Sequence, residues 1–320
     1  MTSPSPNNCI TLAAHGSGKR VLVLTNCTNR KRQSPAPEAR LGGLGESCDD
    51  PVRQWTMRLT TLTPGLPARA MYCGRAFQEA ALAAQALNGD LWVASAGLGL
   101  IHADTPIPAY SATVSPGQAD SVPLAPSRWF AELQARSPYA GWPALGERVL
   151  VLAALSAPYL AMLGPWLVSF AQNQPGSLRL FTRAGAAAIP IELRPYRMPY
   201  DTRLEDDTLG RAGTVGDFAQ RALRDFAQSV LPENPEAGAP QHAAAVIARL
   251  RGRMAPSRPM RRSATDDEVR ALIRAHWTHV LGRSTRMLRV LRDDLGVACE
   301  QGRFRDLFLE VAAERKGVRL

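Results

Sequence analysis

Residues 91–114 (LWVASAGLGLIHADTPIPAYSATV) constrain the fold of this chain more than any other stretch. An apolar run at 91–94 suits a short buried strand, and it passes straight into Ser95, Gly97 and Gly99. Pro106 and Pro108 then stiffen the segment that leads to Tyr110 and Thr113. A buried strand feeding a Gly-rich turn and a stiffened polar loop is how α/β proteins build a ligand edge.

Other segments fit the same architecture. Short apolar runs at 20–25 (RVLVLT), 148–153 and 178–182 suit central strands of a parallel sheet, and 189–194 reads as a further strand. Between them lie helical patterns at 51–58, 71–87, 128–136 (capped by Ser127) and 215–231. The alternation predicts an α/β fold, a three-layer sandwich with a mostly parallel sheet over 20–231. Residues 1–19 read as a flexible N-terminus, 232–264 as a linker with a helix and a basic connector, and 265–320 as a separate unit. The uncharged stretch 149–171 has the length of a membrane span. Its Ser156, Pro158, Gly164 and Pro165 instead predict a strand, a turn and a helix broken or kinked near Gly164 and Pro165. A cytoplasmic protein with no membrane partner is expected, because the first residues lack a basic region and a long apolar core.

The five cysteines are odd in number and form no CxxC pair, which argues against a zinc ribbon or a disulfide framework. His276 and His279 stand three apart with no carboxylate or thiol close in sequence, so packing explains them better than metal binding. Gly16-Ser17-Gly18-Lys19 lacks the spacing of a phosphate loop and precedes its strand. No metal and no cofactor is expected.

Charge is distributed unevenly. The net charge is +10, and from residue 241 onward 17 Lys and Arg face 9 Asp and Glu, a balance of +8. That asymmetry points to a C-terminal region that faces a polyanion. Thr265-Asp266-Asp267-Glu268 has the form of a capping box and should start a helix. A second helix follows from Ser284 to Asp294, then a Leu295-Gly296-Val297 turn and a third helix over 299–314. The pattern resembles a helix-turn-helix, making this a small all-α domain. Gln301, Arg303 and Arg305 would then reach nucleic acid from the third helix, beside Glu300. Arg262, Arg283, Arg286 and Arg289, with Arg292, would meet phosphates. A three-helix docking bundle with a solvated basic face is the alternative.

The run at 20–25 delivers Asn26-Cys27-Thr28-Asn29-Arg30-Lys31-Arg32 to its carboxyl end. A thiol followed by a basic cluster at that edge suits an anion or nucleotide site, and equally a buried cysteine beside a solvated turn. This segment, residues 71–77 (MYCGRAF) and residues 95–101 (SAGLGLI) continuing to Asp104, Pro108, Tyr110 and Thr113 together resemble a family. It comprises bacterial and phage domains related to the archaeosine synthase core catalytic domain, with the YaaA peroxide stress family more distant. The resemblance covers about residues 20–195. Cys27 and Lys31 match its Cys and Lys after the first strand. Arg32-Gln33-Ser34 departs from its following Pro-Tyr, and Gly97-Leu98 stand where bacterial members carry Lys-Tyr.

The resemblance implies a sandwich similar to uracil-DNA glycosylases that acts on 7-deazaguanine bases, converting a 7-cyano-7-deazaguanine nitrile in DNA, or in RNA. Cys27, Lys31 and Asp104 would be catalytic, with Cys27 as nucleophile and Asp104 moving protons. Asn26, Arg30, Arg75, Ser95, Gly97, Gly99, Pro108 and Tyr110 would bind the base or nucleotide, with Tyr110 stacking on it. The alternative is a non-catalytic DNA-binding component of an anti-phage defence or DNA-modification system, working with other proteins of its operon.

Overall fold

A computed structural model describes residues 19–44, 49–256 and 261–315. Cys9, Cys48, the glycines of the Gly16–Lys19 motif and the rest of the N-terminal segment before Lys19 lie outside the described residues. The chain divides into two compact units, Met1–Ala255 and Pro256–Leu320.

In the first unit β1 (Arg20–Asn26) precedes α1 (Pro51–Thr61), the single-turn α2 (Ala68–Met71) and α3 (Arg75–Ala86). Next come β2 (Asp90–Ser95), β3 (Gly99–His102), α4 (Pro126–Arg136), β4 (Val149–Ala154), α5 (Ala157–Asn173) and β5 (Leu178–Phe181). Two helices, α6 (Phe218–Ser229) and α7 (Ala239–Leu250), complete it. The strands form one sheet in the order β3-β2-β1-β4-β5, parallel except for β3. Parallel crossovers are right-handed. The step from β1 to β2 and the step from β4 to β5 run in opposite directions, so α3 and α5 fall on opposite faces. Accordingly α3 packs with α6 over β1, β2, β4 and β5, while α5 packs with α4, which meets α1 and β3. The result is three layers around β1 and β4, whose apolar residues from Leu22 to Leu24 and across all of β4 are buried.

Several local expectations are corrected. Residues 99–102, read as loop, form the antiparallel strand β3, because the chain reverses through Ala96-Gly97-Leu98 and pairs Ser95 with Gly99. Ile191–Tyr196 is a 3-10 helix where a strand was expected, since Pro190 and Pro195 withhold the N–H groups a ladder needs. The helix at 157–173 runs unbroken through Pro165. Pro165 cannot bond the carbonyl of Ala161, and both residues are exposed, so water can take that carbonyl. Ala125, rather than Ser127, precedes α4, and Pro126 fills its first turn. The helix expected in the linker is α7, and its His242, Val246 and Leu250 are fully buried in the first unit.

Both edge strands of the sheet are capped at one residue each. On β3 the outward N–H of Leu100 donates to Oε1 of Gln134 at 2.7 Å, and its carbonyl accepts from Gly141 N at 2.8 Å. Gln134 Nε2 also donates to the Gly141 carbonyl, so one side chain stands in for a strand residue. On β5 the carbonyl of Leu180 accepts from Met198 N at 2.9 Å.

The second unit contains β6 (Arg262–Ser263), α8 (Asp266–His276), α9 (Ser284–Arg289) continued by one π turn over Val290–Asp294, β7 (Val297–Ala298) and α10 (Gln301–Arg315). The capping box at Thr265 and Glu268 is formed. This unit is not purely helical. After Gly296, at φ +60°, the chain extends and β7 pairs in parallel with β6, so the connection to α10 is a strand where a tight turn was expected. Its core gathers Val269, Ile273, Met287, Leu291, Phe304 and Val311.

Candidate functional site

The site grows from the carboxyl end of β1. The strand order places β2 on one side of β1 and β4 on the other, so the chain leaving β1 turns one way while β4 arrives from the other. Open α/β sheets bind ligands in the crevice at such a switch point. Cys27 is the first residue past β1, held by its N–H on the carbonyl of Ala94, and it is 4 % exposed. Its Sγ lies 2.9 Å from the phenol oxygen of Tyr159, in the first turn of α5 just beyond β4. Thus sulfur and phenol meet across the switch point. Burial raises the Tyr159 phenol well above its usual range, and proximity to Cys27 adds to the shift, so it stays protonated.

Asn26 organises the backbone beside the thiol. Its Oδ1 accepts from Ser156 N, ahead of α5, at 3.3 Å and from Gln220 Nε2 of α6 at 3.1 Å. Its Nδ2 donates to the carbonyl of Cys27. Gln220 Nε2 also reaches Thr25 Oγ1 and the carbonyl of Ala154, which ties β1, β4 and α6 together at this end.

Lys31 closes the other side. Its backbone forms an antiparallel bridge with Tyr72, and the ammonium lies over the Tyr110 ring at 4.2 Å and the Tyr72 ring at 5.7 Å. Burial pulls its pKa below 10.5, against the opposing influence of Cys27 and Asp120.

The stretch 91–114 supplies the rest by a round trip. It rises along β2, falls along β3 and rises again as a loop stitched to residues 65–69 and 39–41. The loop brings Tyr110 Oη to 2.6 Å from Ser95 Oγ and 2.7 Å from Tyr72 Oη. Ser95 Oγ already accepts from Gly97 N and Leu98 N, so its hydrogen goes to Tyr110. Tyr110 then donates to Tyr72, which leaves the Tyr72 O–H as the donor at the end of the chain. Burial raises both phenols, and Cys27 adds to each shift. Two indoles fix the turn itself: Trp55 Nε1 donates to the carbonyl of Gly97 at 2.6 Å, and Trp129 Nε1 to that of Ala96 at 2.7 Å. Gly97 suits this position because it has no side chain. A Cβ would sit 2.6 Å from the Tyr110 ring, so Tyr110 fills the space that a lysine at this position would need.

The structure brings Cys27, Lys31, Asn26, Ser95, Gly97 and Tyr110 together but leaves other expected residues elsewhere. Asp104 follows β3 to the amino end of the sheet, where Ala103 N bonds the carbonyl of Leu91. Cys27 bonds Ala94, three residues further along β2, so at least roughly 10 Å of strand separates their levels. Asp104 is exposed and pairs with Arg69, and its backbone N–H donates to Nδ1 of His102. It cannot serve Cys27. Tyr110 is fully buried, with its hydroxyl engaged, so it packs against Lys31 and Gly97 and offers no open face to a base. Arg75 turns to Glu79, Asp217 and the carbonyl of Ala212. Arg30 is exposed, and its carbonyl receives Cys73 N. Gly99, at φ +85°, packs against Gln134, and Pro108 is buried in the loop. Sequence reasoning missed Tyr159, Tyr72 and Gln220.

In the second unit the arginines separate into two groups. Arg262 pairs with Glu268, Arg303 with Asp266 at 2.6 Å, and Arg305 with the adjacent Asp306. Arg292 donates to the carbonyl of Cys299, and Gln301 is exposed at the start of α10. Arg283, Arg286 and Arg289 are exposed, and none of them forms an ion pair among the described residues.

Among the described residues no cluster of His, Cys, Asp and Glu is arranged to hold a metal ion, and no helix is long and apolar enough to cross a membrane. The chain matches none of the protein families, curated proteins or solved structures with which it was compared.

Proposed function

We propose that this chain modifies a nucleic-acid base, with Cys27 as the nucleophile that converts the nitrile of a 7-cyano-7-deazaguanine base to an amide. The observation that carries this reading is the meeting of Cys27 Sγ with Tyr159 at the switch point, with Lys31 and the Tyr72 hydroxyl on the other side. In this scheme sulfur adds to the nitrile carbon, and the nitrile nitrogen takes a proton from the Lys31 ammonium. The proton shed by the thiol passes to the resulting amine, giving a thioimidate with Lys31 recharged. Lys31 serves as the acid, since burial makes its ammonium a readier acid than a solvated lysine. Tyr72 donates a hydrogen bond to the developing negative nitrogen. Water then adds to the same carbon, the C–S bond breaks and the thiol is restored. The net reaction adds one water to the nitrile. Asp104 has no part in it.

The 4 % exposure of Cys27 means that a base reaches sulfur only after its cover opens. The same burial favours a second reading, in which the thiol is a core residue and the chain is a non-catalytic DNA-binding component of a defence or modification system. Incubation with an oligonucleotide carrying the nitrile base separates the two. The first reading expects a mass gain of one water that is lost in Cys27→Ala, with nucleic-acid binding retained. An unchanged mass with the wild-type protein, or full turnover by Cys27→Ala, refutes the thiol mechanism.

A further inference from the structure

The second unit contains eleven arginines between Arg261 and Arg315, and ion pairing sorts them. On α8 and α10, Arg270 pairs with Asp267 and Glu310, Arg274 with Glu314 and Arg303 with Asp266, while Arg305 pairs with Asp306 and Arg315 lies over the Trp277 ring. The carboxylate-paired guanidinium groups already have their charge answered, and a phosphate would have to displace a carboxylate to use them. Arg283, Arg286 and Arg289 differ. They recur every three residues along α9 and its approach, they are exposed, and no ion pair or hydrogen bond engages their side chains among the described residues. Arg286 and Arg289 lie three apart on one side of α9, about 4.5 Å of rise between them, and Arg283 is the extended residue that precedes the helix. Ser284 and Thr285 are exposed between them and add hydroxyl donors.

We infer that α9, rather than α10, is the face of this unit that binds nucleic acid, through three phosphate contacts made by Arg283, Arg286 and Arg289. Guanidinium forks match phosphate oxygens two at a time, and a run of unanswered arginines along one helix complements a regularly spaced polyanion. Contacts of this kind position a backbone without reading sequence. The inference goes beyond the thiol site and does not rest on its chemistry.

The full chain is titrated with a fluorescently labelled duplex of arbitrary sequence over a range of NaCl concentrations. Each phosphate contact to B-form DNA contributes about 0.9 to the slope of log affinity against log salt. The triple variant Arg283→Ala, Arg286→Ala, Arg289→Ala should therefore have a slope shallower by about 2.7, so that from about 50 to 200 mM salt the wild type loses about 40-fold more affinity than the variant. The corresponding triple Lys variant should keep most of the slope, and Arg305→Ala should leave it unchanged. Three results would overturn the assignment. The triple Ala variant could keep the wild-type slope, whatever Arg305→Ala does. The wild type could fail to bind both DNA and RNA duplexes. Polyglutamate could displace the duplex more readily than competitor DNA does, which would mark the stripe as a contact for an acidic protein.

Discussion

Nε of Arg179, on β5, donates to Nδ1 of His242, on α7, at 2.8 Å, and this bond exists only while the imidazole is neutral. The other ring nitrogen of His242 lies 2.8 Å from the carbonyl of Asn234, so Nε2 carries the hydrogen. The remaining partners of Arg179 are the carbonyls of Gly176, Leu178 and Ala237, with no carboxylate among them. Burial pushes the guanidinium down to about 10.

Acid should therefore loosen the packing of α7 on the sheet. Burial holds the His242 pKa below 6.5, the charges of Arg179 and Lys19 lower it further, and the Asn234 carbonyl opposes them. A group depressed in the folded state contributes stability that is complete above its unfolded pKa and is lost as pH falls toward the folded value. The contribution of this group to the unfolding free energy should be flat above about pH 6.5 and fall below it, by at most about 1.4 kcal/mol per pH unit. His242→Gln should lower stability at neutral pH and remove this part of the acid slope. An unchanged slope in that variant would assign the acid sensitivity to other groups.

Gly97→Ala should cost about 1–3 kcal/mol by forcing the Tyr110 ring away. The displaced ring should also release Lys31, so the variant should show an altered Tyr110 environment by NMR or near-ultraviolet dichroism. Wild-type stability with an unmoved ring would contradict the close approach.

On the proposed mechanism, variants at Lys31 separate charge from proton delivery. Because its pKa is lowered, the alkaline fall in nitrile conversion should begin below the 10.5 of an ordinary lysine. Lys31→Arg keeps a cation but does not release its proton, and should lose turnover by roughly 100-fold or more if general-acid catalysis supplies its typical share. Lys31→Met should fall at least as far and also slow alkylation of Cys27. Equal turnover in the Arg variant would move the acid role to Tyr159 or Tyr72.

Gln134→Ala removes the group that answers Leu100 N and the Gly141 carbonyl at the sheet edge. Leaving those backbone groups without partners should cost about 1–3 kcal/mol. Amide hydrogen exchange at Leu100 should accelerate more than at Leu24 in β1, whose ladder partners remain. Uniform acceleration would instead indicate a global loss of stability.

Much of the sheet was legible in the sequence because β1, β4 and β5 are short apolar runs bounded by polar turns. The capping box at Thr265 was legible for a similar reason: its two residues act within one turn. What escaped depends on distance along the chain. Tyr159 stands 132 residues from Cys27, and nothing in its local sequence marks it as a partner. Asp104 is near Ser95 in sequence, but the reversal at Gly97 carries it to the other end of the sheet. Arg303 had the exposed spacing of a nucleic-acid contact, but Asp266, 37 residues earlier, had already claimed it.

The two capped edge positions of the sheet limit how this protein can be recognised. Leu100 and Leu180 have their outward backbone groups taken by Gln134, Gly141 and Met198, so an incoming extended peptide finds no row of vacant donors and acceptors there. Strand addition, one of the common ways of docking a partner chain, is thereby blocked on both flanks at these positions. A partner of this unit has to be selected by side chains and loop ends, where single substitutions can change its identity without disturbing the fold.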